Sequence, residues 1–256
     1  MLDHPLDVRD GADMAGAADG HGAGPAVYDI DGIINPASTV ESLHRLHAKA
    51  ICYIEVGAAG DYYSAAAEGV AGVTYFAQLK AAGDLGRRVP GYPEYYLDIN
   101  AASTLRIVES MIRQQCYAKG FDAVEPDIDD SYADTTSLRI TEAENIRYDK
   151  MLGAYAHSLG LAWGQKNGDA DPRFSAALEP YTDFLLDEEC NFFRTCSSVT
   201  PPYVKARKMV LNAEYTSDWG GDAARDLARF CAFDASHHID GTLFTTSLAG
   251  PRHSCR

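Results

Sequence analysis

No glycine-rich phosphate loop follows any apolar run of this 256-residue chain, which counts against a dinucleotide-binding fold. Basic residues are scarce: 22 Lys and Arg stand against 37 Asp and Glu, a formal charge of −15 at pH 7. Such a field repels nucleic acid and anionic membrane, so neither is expected as a partner. No run of about eighteen apolar residues occurs, so no membrane-spanning helix is expected. The six cysteines, at 52, 116, 190, 196, 231 and 255, include no CxxC and no Cys/His set of zinc spacing. Residues 1–24 lack the apolar stretch of a signal peptide. They read as a disordered leader, or as a misplaced gene start, ahead of one domain over 25–256.

What is present is 46% hydrophobic residues, enough for a sizeable core. Fifteen Tyr, nine Phe and two Trp are spread along the chain, which fits sugar-stacking surfaces and ordinary packing alike. The acidity would draw a cationic ligand, or only keep the protein soluble. Cys190 and Cys196 are near enough in sequence for a loop-closing disulfide. Cys52 lies in an apolar strand run and reads as a free core thiol.

From residue 26 short β-type runs recur: "AVYDI", "AICYIEV", "YYLDI", "FDAVEPD", "LAWGQK", "DFLLDEE", "KMVLNAEY" and "GTLFTTS". Helical patterns separate most of them. In 103–120, Leu105, Val108, Met111, Ile112 and Cys116 recur at helical spacing and Gly120 is the stop. The segment 141–160 opens with Thr141 and Glu144, a capping-box pair, and ends on Gly160. Regular strand–helix alternation with near-continuously apolar strands implies a parallel sheet buried on both faces. Eight such runs favour an α/β fold of the (β/α)8 TIM-barrel type. The long segment 57–94, with its Tyr and Phe residues and room for a short helix, reads as a wall or lid.

The stretch "KGFDAVEPDIDDSY" raises a question: an apolar run ends in Glu125, Asp127, Asp129 and Asp130, and crowded carboxylates repel one another. The other runs end alike, in Asp29 and Asp31, Glu55, Asp98, Lys166 and Asn167, Glu188 and Glu189, Glu214 and Tyr215. In a parallel barrel these ends share one rim, where active sites of that architecture lie. Asp129 or Asp130 could serve merely as helix caps. That does not explain Glu125 and Asp127, which share one strand face. Carboxylates without a Cys/His nucleophile pair suit glycoside hydrolysis, with one nucleophile or base and one acid. Divalent-metal chemistry is the rival; no DxDxDG loop occurs, and Lys166 within the ring would oppose a cation. No metal and no cofactor are expected. The residues alone leave the choice among the rim acids open.

"VYDID", "ICYIEVGA", "YYLDI", "GFDAVEPD", "GQKN" and "DEEC", in this order over about residues 26 to 247, resemble glycoside hydrolase family 114. The resemblance implies a TIM barrel and endo-acting, retaining hydrolysis of α-1,4-linked galactosamine polysaccharide. It also implies Asp127 as nucleophile and Glu188 as acid/base. Asp29, Asp31, Glu55, Asp98, Glu125 and Glu214 would then form an anionic groove for the sugar ammonium groups. Tyr53, Tyr95, Tyr96 and Tyr215 would offer ring faces, and Lys166 and Asn167 would bind or orient a catalytic carboxylate. The alternative for Lys166 is a plain buried ion pair. A monomer and an extracellular location are expected from the family.

Four departures stand out. No Trp-rich first strand precedes Val27, so the barrel would lack its usual first strand unless "YYLDI" substitutes. Ile128 stands where the family has Asn, "AEY" replaces "VEY" at 213–215, and "DEEC" replaces "NEQC". The rival reading is an inactive or truncated homologue that only binds cationic polysaccharide.

Overall fold

The computed structural model describes residues 25–69, 72–134, 136–168, 171–245, 248 and 252–255; the segment read as a leader, 1–24, lies outside them. Eleven strands occur there: β1 (Val27–Asp31), β2 (Lys49–Glu55), β3 (Ala58–Gly60), β4 (Leu85–Arg88), β5 (Glu94–Leu97), β6 (Ala123–Asp127), β7 (Ala162–Lys166), β8 (Phe184–Glu188), β9 (Met209–Tyr215), β10 (Asp240–Phe244) and β11 (His253–Ser254). Helices α1 (Ala37–Arg45), α2 (Tyr75–Ala82), α3 (Ala102–Met111), α4 (Glu142–Ser158) and α5 (Pro172–Leu178) come before β8. After it come α6 (Cys190–Phe193), α7 (Cys196–Val199), α8 (Pro201–Ala206), α9 (Thr216–Trp219) and α10 (Ala223–Ser236).

The main sheet runs β1-β2-β6-β7-β8-β9-β10-β11. Its first seven members are mutually parallel and only β11 is antiparallel. The sheet curls on itself, so that the Arg252 guanidinium, beside β11, lies 5.4 Å from the centre of the Tyr28 ring on β1. This is the TIM-barrel-like α/β architecture that the strand–helix alternation implies. β1 and β11 are its outermost strands among the described residues.

Strand alternation sorts the side chains. Ile51, Ala123, Phe184 and Leu186, with Val27, Ala162, Met209 and Leu211 against them, fill the floor of the lumen. Gly164 is required there, because a Cβ would meet the Phe184 ring at 2.5 Å. The opposite faces of the same strands pack on the helices: Tyr28, Ile30, Cys52, Ile54, Val124 and Trp163 join Leu43, Val108, Ile112 and Leu152. α4 begins as its sequence dictates. The Thr141 side chain accepts from the Glu144 N–H, and the Glu144 carboxylate accepts from the Thr141 N–H. The helix over 103–120 is found in two pieces, α3 followed by a π-helical turn over Ile112–Tyr117, and Gly120 ends it with φ +86°.

Two expectations are overturned. "YYLDI" does not substitute for the first barrel strand. Its residues 95–97 belong to β5, in a separate antiparallel sheet of order β3-β5-β4. The reason is local: "VPGYP" between β4 and β5 is a tight turn with Gly91 at φ +86° and Val89 N–H bonded to Glu94 O at 2.8 Å. A hairpin makes its strands antiparallel. The predicted lid segment therefore carries β3, α2, β4 and the start of β5.

Cys52 is not a free thiol. It is joined to Cys116 on the π-helical turn, 64 residues away. Cys190–Cys196 is bonded, as its spacing allowed, and Cys231–Cys255 ties α10 to the end of the main sheet. Closing a long loop removes freedom from the unfolded chain. The double variant Cys52→Ala/Cys116→Ala is therefore expected to lose about 2–4 kcal/mol in non-reducing urea melts; an unchanged midpoint contradicts this.

Candidate active site

Strand parity points Asp29, Asp31, Tyr53, Glu55, Glu125, Asp127, Lys166, Glu188 and Tyr215 into the upper lumen, in register across neighbouring strands. Lys166 stands at their centre, 3% exposed. Its Nζ lies 2.9 Å from Glu125 Oε1, 3.0 Å from Asp127 Oδ1 and 3.4 Å from Glu188 Oε2. It occupies the space between the carboxylates that a divalent cation would need.

Around this centre each group has a fixed partner. Tyr53 OH donates to Asp127 Oδ2 at 2.6 Å, and Tyr215 OH to Glu188 Oε1 at 2.5 Å. Asn167 accepts the Glu188 backbone N–H on its Oδ1 at 2.9 Å, so it places that strand end rather than facing the lumen. Asp29 is hydrogen-bonded to Glu125, yet it keeps solvent contact through the open lumen.

Burial opposes ionisation of Asp127, but the Lys166 charge and hydrogen bonds from Tyr53, Lys166 and Ile128 N–H outweigh it, holding its carboxyl below the ordinary range. Burial would lower Lys166; Asp127, Glu125 and Glu188 reverse that and hold its ammonium well above the usual lysine range. Burial pushes Glu125 up despite Lys166. Burial and the Glu125 charge push Asp29 well up.

The turns out of the strands are strained. Ile128, Asn167 and Glu189, which directly follow β6, β7 and β8, have φ of +58°, +50° and +61°. Asn adopts this conformation readily, whereas Ile and Glu do so at a cost of about 1–2 kcal/mol each. Ile128 thus stands at a left-handed position that suits the Asn it replaces. Gly57 admits the close approach beside it, because a Cβ there would meet Ile128 O at 1.8 Å.

The remaining predicted residues separate. Asp31 is committed to the fold: its Oδ1 accepts from Ile33 and Ile34 N–H, and its Oδ2 from Tyr63 OH at 2.6 Å. Glu55 is buried and accepts from Tyr62 OH. Asp98 lies beyond β5 and accepts the Asn100 N–H at the turn into α3, so it is not brought to this group. Tyr96 is buried in the lid sheet, whereas Tyr95 is part-exposed and packs on Phe76. Glu214 lies on the outer face of β9, opposite Tyr215. It is fully buried, and its oxygens are taken by Asn191 N–H, Asn212 Nδ2 and Trp219 Nε1.

Sequence reasoning missed three groups and gave a fourth, Asp129, a different role as a helix cap. Tyr62 and Tyr63 descend from the lid segment onto Glu55 and Asp31. Glu94, on β5, is pushed up to about 7 by burial and by the Asp127 charge. Asp129 is buried and holds the Lys166 backbone N–H at 3.0 Å. The first three fall in the segment read as a wall, but nothing in its sequence singles them out.

Residues 14–256 match the model of the glycoside-hydrolase family GH114. In fold the chain is similar to Ega3 of Aspergillus fumigatus, solved in complex with galactosamine, at TM-score 0.78 and 22% identity over 92% of this chain and 90% of that one. It is also similar to the glycoside hydrolase domain of PelA from Pseudomonas aeruginosa, at TM-score 0.64 and 13% identity over 89% and 90%. No curated protein matches it in sequence.

The buried carboxylates set the sign of the pH dependence. Burial first, then neighbouring charges, raises Asp29, Glu55, Asp129 and Asp149 well above the ordinary range, and brings Glu94 and Glu189 to about 7. A carboxyl whose folded pKa exceeds its unfolded value binds more protons when folded, so stability falls as pH rises between the two. These groups outnumber the depressed Asp127, Asp122, Asp171 and Glu144. The melting temperature is therefore expected to be higher at pH 5 than at pH 8; a scan showing the reverse contradicts this.

Proposed function

We propose that this chain, which belongs to the glycoside-hydrolase family GH114, is a retaining endo-glycosidase of α-1,4-linked galactosamine polysaccharide, with Asp127 as nucleophile and Glu188 as acid/base. The observation that carries the reading is the shared Lys166 ammonium, which both carboxylates contact, at 3.0 and 3.4 Å. Two oxygens on one nitrogen are closer than the sum of these contacts. This is compatible with the roughly 5–5.5 Å carboxyl separation of retaining enzymes, and the anomer released distinguishes it from the roughly 6.5–9.5 Å of inverting ones.

In the first step an Asp127 oxygen bonds to the anomeric carbon as the glycosidic C–O bond breaks. Glu188, a third exposed and so able to reload from solvent, gives its proton to the departing oxygen. In the second, Glu188 takes a proton from water, the water oxygen bonds to the anomeric carbon, and Asp127 leaves. Lys166 and Tyr53 keep Asp127 ionised for attack and would accept its charge back on release. Tyr215 fixes the direction of the Glu188 carboxyl.

The amino sugar follows from the charge. The ammonium groups of a deacetylated galactosamine chain would meet Glu94 and the solvent-facing Asp29, within the field of a chain of net charge −15. Three disulfides support an oxidising, extracytoplasmic location, and no helix among the described residues is long and apolar enough to cross a membrane.

Asp127→Asn is expected to abolish turnover of deacetylated polygalactosamine while polymer binding persists, and Glu188→Gln to slow it by about 10²–10⁴-fold. Product NMR should show the retained anomer, and activity should survive EDTA. A chain that binds the polymer but never cleaves it, or cleaves with inversion, overturns this reading.

Lys166→Met removes the cation that favours ionised Asp127. The acid limb of kcat/KM should then move to higher pH, because the nucleophile's pKa rises. An unmoved limb would show that Lys166 does not act on Asp127.

A further inference from the structure

Just past Glu188 the chain displays what globular proteins ordinarily hide. Phe192 and Phe193, on the four-residue α6, are 40% and 60% exposed. They form an edge-on stack at 5.0 Å, and Phe192 meets the Trp219 ring of α9 at 5.8 Å. This strip does not flex freely. The Cys190–Cys196 disulfide closes the loop that carries both phenylalanines. Trp219 is held from below by Glu214, which accepts its indole N–H at 2.8 Å, and Arg229 donates to its carbonyl. Glu214, withdrawn from the lumen, thus anchors the floor of the strip.

The strip is also flanked by acid. Glu189 and Asp218 are hydrogen-bonded to each other; they sit at the roots of α6 and on α9. Across the mouth stands Tyr92 of the lid turn, 61% exposed. Burial, then the charges of Glu188, Glu94, Asp127 and Glu189, raises its hydroxyl.

We propose that Phe192, Phe193 and Trp219, with the Glu189–Asp218 pair beside them, form a sugar subsite remote from the scissile bond that holds a further amino-sugar unit of the same polymer. It rests on the polygalactosamine reading above. Three observations converge on that occupant. The apolar faces of a pyranose suit exposed rings. An ammonium suits the Glu189 and Asp218 carboxyl groups. The strip continues directly from Glu188 at the mouth. A surface locked before binding loses little entropy when a ligand docks, which accounts for a disulfide across so short a loop. Binding at such a distance would favour cleavage inside long chains and position the polymer across Asp127.

The test uses the full chain carrying Asp127→Asn, so that nothing is cleaved, titrated calorimetrically with galactosamine and with deacetylated galactosamine oligomers up to the hexamer. Affinity is expected to climb with length. Phe192→Ala/Phe193→Ala, at exposed positions that leave the core intact, should cut the hexamer-to-monomer affinity ratio about tenfold. Asp218→Asn should lower hexamer affinity and flatten its salt dependence. A ratio unchanged by the double substitution overturns the subsite, and does so alone if the wild-type chain still cleaves the polymer. An unchanged salt slope removes the acid pair from it. Failure of the Asp127→Asn chain to bind any oligomer overturns the subsite and the polygalactosamine reading together.

Discussion

One ammonium organises the upper barrel. Lys166 is buried among Glu125, Asp127 and Glu188, carboxylates from two different strands on either side of its own. Without it, three carboxylates would share a largely dry space, and most would take up protons rather than stay charged. With it, one of them, Asp127, is held ionised although buried. Buried charges of this kind do little for net stability, because desolvation consumes most of the Coulombic gain. On the reading proposed above, they serve the chemistry rather than the fold.

The supporting structure exists to fix this cluster. The Lys166 backbone is gripped by Asp129, the Glu188 backbone by Asn167, and the Asp127 carbonyl by Val56 N–H. β6, β7 and β8 then leave the rim through left-handed residues. Strain at these turns is affordable because the surrounding sheet over-determines them. The lid sheet adds the second wall, lowering Tyr62 and Tyr63 onto Glu55 and Asp31. Glu125, Asp127 and Glu188 are thereby gathered on Lys166 in the upper lumen, with Asp29 and Glu55 on the neighbouring strands.

Much of this was readable from residues. Alternation within "FDAVEPD" places Glu125 and Asp127 on one face, and "GQKN" and "DEEC" bring Lys166 and Glu188 to the same rim. The same alternation, applied to "NAEY", separates Glu214 from Tyr215, and only Tyr215 faces the lumen. Asp98 was misplaced for another reason: β5 is paired antiparallel, so its end lies at no barrel rim. The "VPGYP" turn was the signal for that pairing. Cys52 gave no signal at all, since its partner lies 64 residues away on a distorted turn of a helix.

By itself the sequence determined the periods: two along the strands, near 3.6 along the helices, with acids at the strand ends and glycines at the helix stops. Those are local quantities, set by backbone sterics and side-chain alternation. Which strands become neighbours, which carboxylates converge on Lys166, which cysteines meet and which aromatics stay exposed beside Glu188 were decided only by the closed packing of the sheet. Such contacts join residues far apart in sequence, and their geometry depends on the twist and register of every strand between them.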